Sequence, residues 1–294
     1  GRRGRDHRAG VDGLAGGRGM STKTTNIKNV IIAALAAINL LFITFTVANG
    51  VSERRERAQA ARDLADILAR HGVTLEEGAI RDFSAPQQAL AERSRAEEKE
   101  FADLLCGETT VTPGGGNILQ YEGSLGRGVF QSGGNFTVKV SVEGAAGGRA
   151  EETTRQYLKK LRNRAEIFRL VLTGGRESVL ARYYWKGSPI FNCVMAFTYE
   201  DGRLVEVSGK RVSALRADEG EEDTHLVSTA ALAFLRAVRE GRVSCSRISA
   251  VEAGYVYVTV SAFGEGALHP AWAFTTDTGV YYYDAVTGMI EEGL

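Results

Sequence analysis

The sequence predicts an α+β protein: a single N-terminal transmembrane helix followed by an outer region of two helix-plus-antiparallel-meander units. Three observations predict it. Residues 30–48, VIIAALAAINLLFITFTVA, carry no charged side chain, and at 1.5 Å of rise per residue that run crosses roughly 28 Å, the hydrocarbon thickness of a bilayer. Downstream, segments with apolar residues at three-to-four-residue spacing give way to short apolar runs bounded by Gly, Pro and Asp. This succession occurs twice, over residues 107–215 and 222–294, without obvious shared sequence. Structural duplication is expected, because alternating residues in each meander leave one face to bury under a helix.

Residues 1–29 are expected to be disordered, since GRRGRDHRAGVDGLAGGRG offers almost nothing to a core. Translation is expected to start at Met20, because purine-rich Gly and Arg codons just upstream of a methionine can be a ribosome-binding site read as protein. Within the span, Asn39 falls near the bilayer midplane, and Ala33 and Ala37 form a small-xxx-small pair. An amide in hydrocarbon wants a partner and small side chains let another helix approach, so these three residues are the candidates for partner binding inside the membrane. The same residues also suit a span that packs on nothing, since a single Asn can be tolerated. Lys23 and Lys28 precede the span and Arg54, Arg55, Arg57 and Arg62 follow it, which on the positive-inside count places the N-terminus outside. A short tail before one apolar helix acts instead as a signal anchor, and the upstream arginines reverse the count, so a cytoplasmic N-terminus and an extracellular C-terminal region are expected.

Residues 49–106 read as a helical stalk and a further helical segment. From Glu53 to Arg70 a stripe of Ala61, Leu64, Ala65 and Leu68 runs to a stop at Gly72. Ser84 to Leu105 reads as a second helix, capped by Ser84 with Pro86 in its first turn and a charge run that is most simply a solvated face. Glycine clusters between Gly107 and Gly148 signal hairpins. Glu151 to Leu172 then reads as a helix on the spacing of Tyr157, Leu161, Ala165, Phe168 and Leu172, ended by Gly174-Gly175. Strands follow at Ser178 to Tyr184, Ile190 to Tyr199 and Leu204 to Val212. The second unit opens with a helix over Leu226 to Val238 and continues in strands at Ser246 to Ala253, Tyr255 to Phe263, Ala271 to Thr275, Val280 to Asp284 and Met289 to Glu291.

Composition removes several classes of function. Residues 1–48 hold seven Lys and Arg against two Asp, a charge of +5 that leaves −5 on the rest of a chain that is neutral overall. A soluble portion of that sign makes a poor nucleic-acid binder, because phosphate contacts rest on clustered Lys and Arg. Cys106, Cys193 and Cys245 are odd in number and lack CxxC spacing, which indicates buried thiols rather than a disulfide framework or a zinc site. Residues 123–128, GSLGRG, have neither nucleophile-elbow nor dinucleotide spacing, and GRGMSTKT lacks the second glycine of a P-loop. The four histidines are scattered. His71 sits where a cation suits a helix end, His225 beside a helix start, and His269 before a proline in a loop without a second metal ligand. No catalytic residue, cofactor or metal is expected.

Pro270, Trp272, Asp284, Thr287 and Gly288 read as residues that define the fold. Pro270 and Trp272 begin a strand whose indole buries a large apolar area, Thr287-Gly288 makes a tight turn, and Asp284 can bond that turn's backbone. The set YYWKGSPIF (183–191), the helix from Leu226, AGYV (253–256), LHPAWAF (268–274) and YYYDAVTGMI (281–290) stands in the order found in the YycI and YycH proteins, and from Ile27 onward the chain resembles that family. The resemblance implies an extracytoplasmic regulator of the WalK-type sensor histidine kinase of cell-wall metabolism in low-GC Gram-positive bacteria. It implies the kinase as partner, a homologous YycH-like companion, and a single-pass protein of the cell membrane. Asp-Ala-x-Thr-Gly followed by an apolar residue also ends PepSY domains, and the alternative expectation is a PepSY-like tethered module that restrains an envelope peptidase or wall hydrolase. A membrane-tethered enzyme with dispersed site residues is the third.

Overall fold

The structure is a computed structural model of residues 1–294, and residues 55–141, 149–162, 164–218, 226–261 and 264–293 are described. Residues 60–294 form one compact unit. Among the described residues no helix is long and apolar enough to cross a membrane; the expected span, with Asn39, Ala33 and Ala37, lies outside them.

Helix α1 covers residues 55–69 and closes in a turn at Gly72. Its expected stripe is the buried one, with Leu64 and Leu68 in the core. Strand β1 (Thr74–Leu75) and β2 (Ala89–Ala91) come next, then α2 (Arg95–Cys106). The helix expected from Ser84 is therefore halved. Ala89–Ala91 pairs antiparallel with a strand near the C-terminus, and the cap is Ser94, whose hydroxyl accepts from Glu97 N.

Strands β3 (Thr109–Gly115), β4 (Ile118–Gly123), β5 (Gly126–Phe130) and β6 (Asn135–Val140) form the expected hairpins. After α3 (Ala150–Leu158) comes β7 (Ala165–Thr173), where helix was expected to continue. Gly174-Gly175 closes the hairpin to β8 (Arg176–Trp185) instead of ending a helix. Strands β9 (Ser188–Glu200) and β10 (Arg203–Lys210) complete an antiparallel sheet in the order β7-β8-β9-β10-β6-β5-β4-β3. Phe101, Leu105 and Cys106 of α2 and Leu158 of α3 bury one face of it against Phe130, Phe136, Val179 and Phe197. Rings of Phe101 and Phe136 meet edge-on at 5.1 Å.

The C-terminal half adds β11 (Arg216–Ala217), α4 (Val227–Arg239), β12 (Arg247–Thr259), β13 (Gly266–Thr276), β14 (Val280–Asp284) and β15 (Ile290–Glu292). Two strands were expected where β12 runs unbroken through Gly254. The sheet order is β11-β2-β13-β12, with β14 and β15 alongside β13 beyond β2. Phe234 of α4 stacks on Phe274 at 4.5 Å, and Trp272, Tyr283, Leu64 and Leu68 share that core.

Pro270 lies mid-strand in β13 and does not begin it. Its carbonyl accepts from Ala285 N at 2.8 Å, so its missing N–H faces the same side. There β2 stops at Leu268 and β14 starts at Ala271. The proline thus occupies the one gap in that edge, where no ladder bond is lost.

The outer edge of β12 is covered piece by piece. Strand β1 pairs parallel at Arg247 and Ile248, Ile80 bridges Val251, Asp82 accepts from Ala253 N at 3.3 Å, and β9 touches at a single parallel pair, Tyr255 with Ile190. Asn192 continues this with its side chain: Oδ1 accepts from Tyr257 N at 2.8 Å and Nδ2 donates to Tyr257 O at 3.0 Å. An amide here replaces a residue of a neighbouring strand and satisfies both backbone groups. Gly254 allows the approach, since a Cβ there would stand 2.5 Å from Pro189 O.

Candidate functional site

Where β9 and β10 meet β12 and β14, a cleft of about 310 Å³ opens, lined by Asn192, Lys210, Tyr257, Thr259, Asp284, Thr287, Met289 and Glu291. Backbone strands carry all but the turn residues, so the cleft is set by sheet geometry. Lys210 Nζ lies 4.7 Å from the Tyr257 ring centre, a cation on an aromatic face. Met289, 60% exposed, adds an apolar surface at the mouth.

One wall is the β14–β15 turn, built by Asp284. Its Oδ1 accepts from Val286 N at 2.8 Å and Thr287 N at 3.1 Å, and its Oδ2 bonds His269 Nδ1 at 2.8 Å. Gly288 N donates to Asp284 O at 2.9 Å, and Gly288 sits at φ 72°, a conformation that side chains with Cβ resist. Burial raises the Asp284 carboxyl, but the bonds from His269, Val286 and Thr287 outweigh it and hold the group below its ordinary value. His269 is a strand residue on β13 and not a loop histidine; fifteen positions separate it from its carboxylate.

The five fold-defining residues divide between the two faces of this wall. Asp284 and Thr287 line the cleft, whereas Trp272 is wholly buried in the core beneath α4. Pro270 and Gly288 set the backbone. Asn192, Lys210 and Tyr257 were missed in the sequence. Asn192 interrupts the otherwise apolar stretch 189–197 of β9, and that polar interruption was the available signal.

A second polar assembly lies under α2, where the charge run was expected to be solvated. Glu97 and Glu98 are buried, 8% and 3% exposed. Arg93 grips Glu98 through both Nε (2.8 Å) and Nη2 (3.0 Å), and Tyr121 OH is 3.5 Å from the same carboxylate. Glu97 Oε1 accepts from Ala214 N at 3.2 Å. Arg211, 7% exposed, stands beside them with its guanidinium 5.3 Å from the Phe101 ring centre.

All three cysteines are free. Burial pushes the Cys106 thiol up to about 11 and the Cys193 thiol up to about 12, so neither is a nucleophile at neutral pH. Among the described residues no group of three or more His, Cys, Asp or Glu could hold a metal ion.

No family model and no curated protein matches the chain. Among solved structures it is similar to the Bacillus megaterium YpeB C-terminal domain, at 12% identity and a TM-score of 0.35, over 69% of this chain and 99% of that one.

Proposed function

We propose that this chain is a membrane-anchored extracytoplasmic binding module that regulates a sensor histidine kinase of the WalK type, as its resemblance to the YycI and YycH proteins implies. The observation that carries the reading is the uncharged run 30–48 standing eleven residues ahead of the compact unit that begins at residue 60. An anchor in that run would bring the chain to the membrane, where kinase sensor domains are found. Asn39, Ala33 and Ala37 then contact kinase membrane helices, and the cleft at Lys210, Tyr257 and Asp284 engages an extracytoplasmic partner, for which a YycH-like companion is a candidate. Regulation follows from differential packing against two kinase states, since a partner that favours one shifts their populations.

A second reading, a PepSY-like tethered module restraining an envelope peptidase or wall hydrolase, is favoured by β7. Among the described residues this nine-residue strand pairs only with β8, and Leu170 and Leu172 on it are 49% and 75% exposed. An open edge with apolar side chains suits addition of an extended segment from a partner.

Exchange of residues 30–48 for an unrelated apolar helix separates the two. Kinase autophosphorylation is measured in membranes holding the full-length protein. The regulator reading predicts that the exchange, and Asn39→Leu to a lesser degree, abolishes the effect on the kinase. Unaltered kinase output with both variants would sink it and leave the tethered module.

A further inference from the structure

Strand β7 is an open edge of the N-terminal sheet: among the described residues it pairs only with β8, and its Leu170 and Leu172 are 49% and 75% exposed. The hairpin fixes which backbone groups are open. Gly174 and Gly175, both at positive φ, make a two-residue loop, so Thr173 and Arg176 are a hydrogen-bonded pair. Alternation then turns the N–H and C=O of Thr173, Val171 and Arg169 toward β8 and those of Leu170 and Leu172 outward, where no described residue meets them. The other open edge of this sheet, β3, is blunted by Pro113 and by a register shift between Pro113 and Gly115. β7 has no proline, and its own shift, between Ile167 and Arg169, leaves residues 169–173 regular.

We propose that β7 pairs antiparallel with β7 of a second copy of this chain, about a twofold axis at Val171. The sequence of the strand selects both the occupant and the register. Leu170 then faces Leu172 of the second copy, and Leu172 faces its Leu170, in two pairs that each exchange both backbone bonds while the exposed leucines cover one another. Arg169, the one charge between residues 167 and 173, faces Thr173. The two Arg169 positions stand roughly 13 Å apart at about 3.3 Å per residue, beyond the Debye length of about 8 Å. An axis at Arg169 would oppose those charges directly, one at Leu170 would set the register shift against Leu172, and one at Leu172 would run Leu170 past the end of the strand. The pairing is isologous, so it closes at two copies. A contact this short is smaller than a stable interface, which makes the dimer weak and exchanging. The inference is independent of the kinase reading, and it competes with the extended segment of the second reading for the same edge.

Disulfide trapping in the full-length protein in detergent, on a Cys245→Ser background, tests the register directly, since Cys106 and Cys193 are buried. Val171 on the axis faces itself as a non-hydrogen-bonded pair with Cα atoms about 4.5 Å apart, within disulfide reach. Val171→Cys is expected to form a linked dimer at least about tenfold faster than Val111→Cys on the exposed β3 edge, because pairing supplies an effective concentration that chance collision does not. Pairing of the uncharged runs 30–48 speeds both alike, so the ratio reports the strand. Leu172→Pro loses an outward N–H, keeps the pairing with β8, and is expected to bring the Val171→Cys rate down to that of Val111→Cys. Leu170→Lys is expected to do the same and serves if the proline variant does not fold. Equal rates for Val171→Cys and Val111→Cys, the result if another segment of this chain or a different protein takes the edge, would overturn the proposal. So would a Val171→Cys rate unchanged by the edge substitutions.

Discussion

Asp284→Ala removes the acceptor for three donors at once: Val286 N at 2.8 Å, Thr287 N at 3.1 Å and His269 Nδ1 at 2.8 Å. A hydrogen bond to a charged group is worth about 1.5–3 kcal/mol, and a donor left dry costs about 1–3 kcal/mol. Thr287 is exposed, so water recovers part of the loss and the net falls near 3 kcal/mol. For a unit of this size that lowers Tm by about 6–12 °C. Asp284→Asn keeps a carbonyl for the two turn amides and loses the charge, so about 1 kcal/mol is expected. The assay is thermal unfolding of the full-length protein followed by near-UV circular dichroism at several pH values. Because the folded carboxyl titrates below its ordinary value, its contribution is complete above the unfolded value of about 3.9 and fades as pH falls through the folded one. The gap between parent and Asp284→Asn should therefore be full at pH 7 and narrow as the pH falls below the unfolded value. Equal melting of Asp284→Ala and parent at pH 7, or a gap that widens as the pH falls, would refute the reasoning.

Asn192→Ala leaves Tyr257 N and O of β12 without partners and should lower stability by about 2–3 kcal/mol, with the amide of Tyr257 losing protection from hydrogen exchange. Gly254→Ala places a Cβ 2.5 Å from Pro189 O and 2.6 Å from the Phe191 ring; a loss of at least about 2 kcal/mol is expected in urea unfolding, and a neutral result would mean that β9 and β12 do not approach as described. With iodoacetamide at pH 8 the native protein should react at Cys245 first, since Cys106 and Cys193 are buried, and all three thiols should react in guanidinium. Mass spectrometry of the labelled peptides gives the order, and early labelling of Cys193 would contradict the packing of β9.

Patterns confined to one element were legible in the sequence. The α1 stripe, the strands from 176 to 210 and the Asp284 turn depend on residues a few positions apart. Failures arose where distant segments decide. β7 carries a register shift between Ile167 and Arg169, and one extra residue in a strand turns period two into a spacing that imitates a helix. β2 is three residues long, too short for any period to show. Glu97 looks solvated until residues 211–214, more than a hundred positions away, arrive against α2. The cleft was half legible: Asp284 and Thr287 belong to a local turn, whereas Asn192 finds Tyr257 across 65 positions.

The central claim, that the unit is a partner-binding module held at the membrane, is tested most directly by placing a photoreactive residue at position 289, on the mouth of the cleft, in intact host membranes and identifying what it captures. The account predicts a membrane or envelope protein, the kinase or its companion first, with capture lost in Lys210→Glu and reduced when residues 30–48 are deleted. Capture of nothing above the level of a photoreactive residue at position 203, on the far turn of β10, would contradict it.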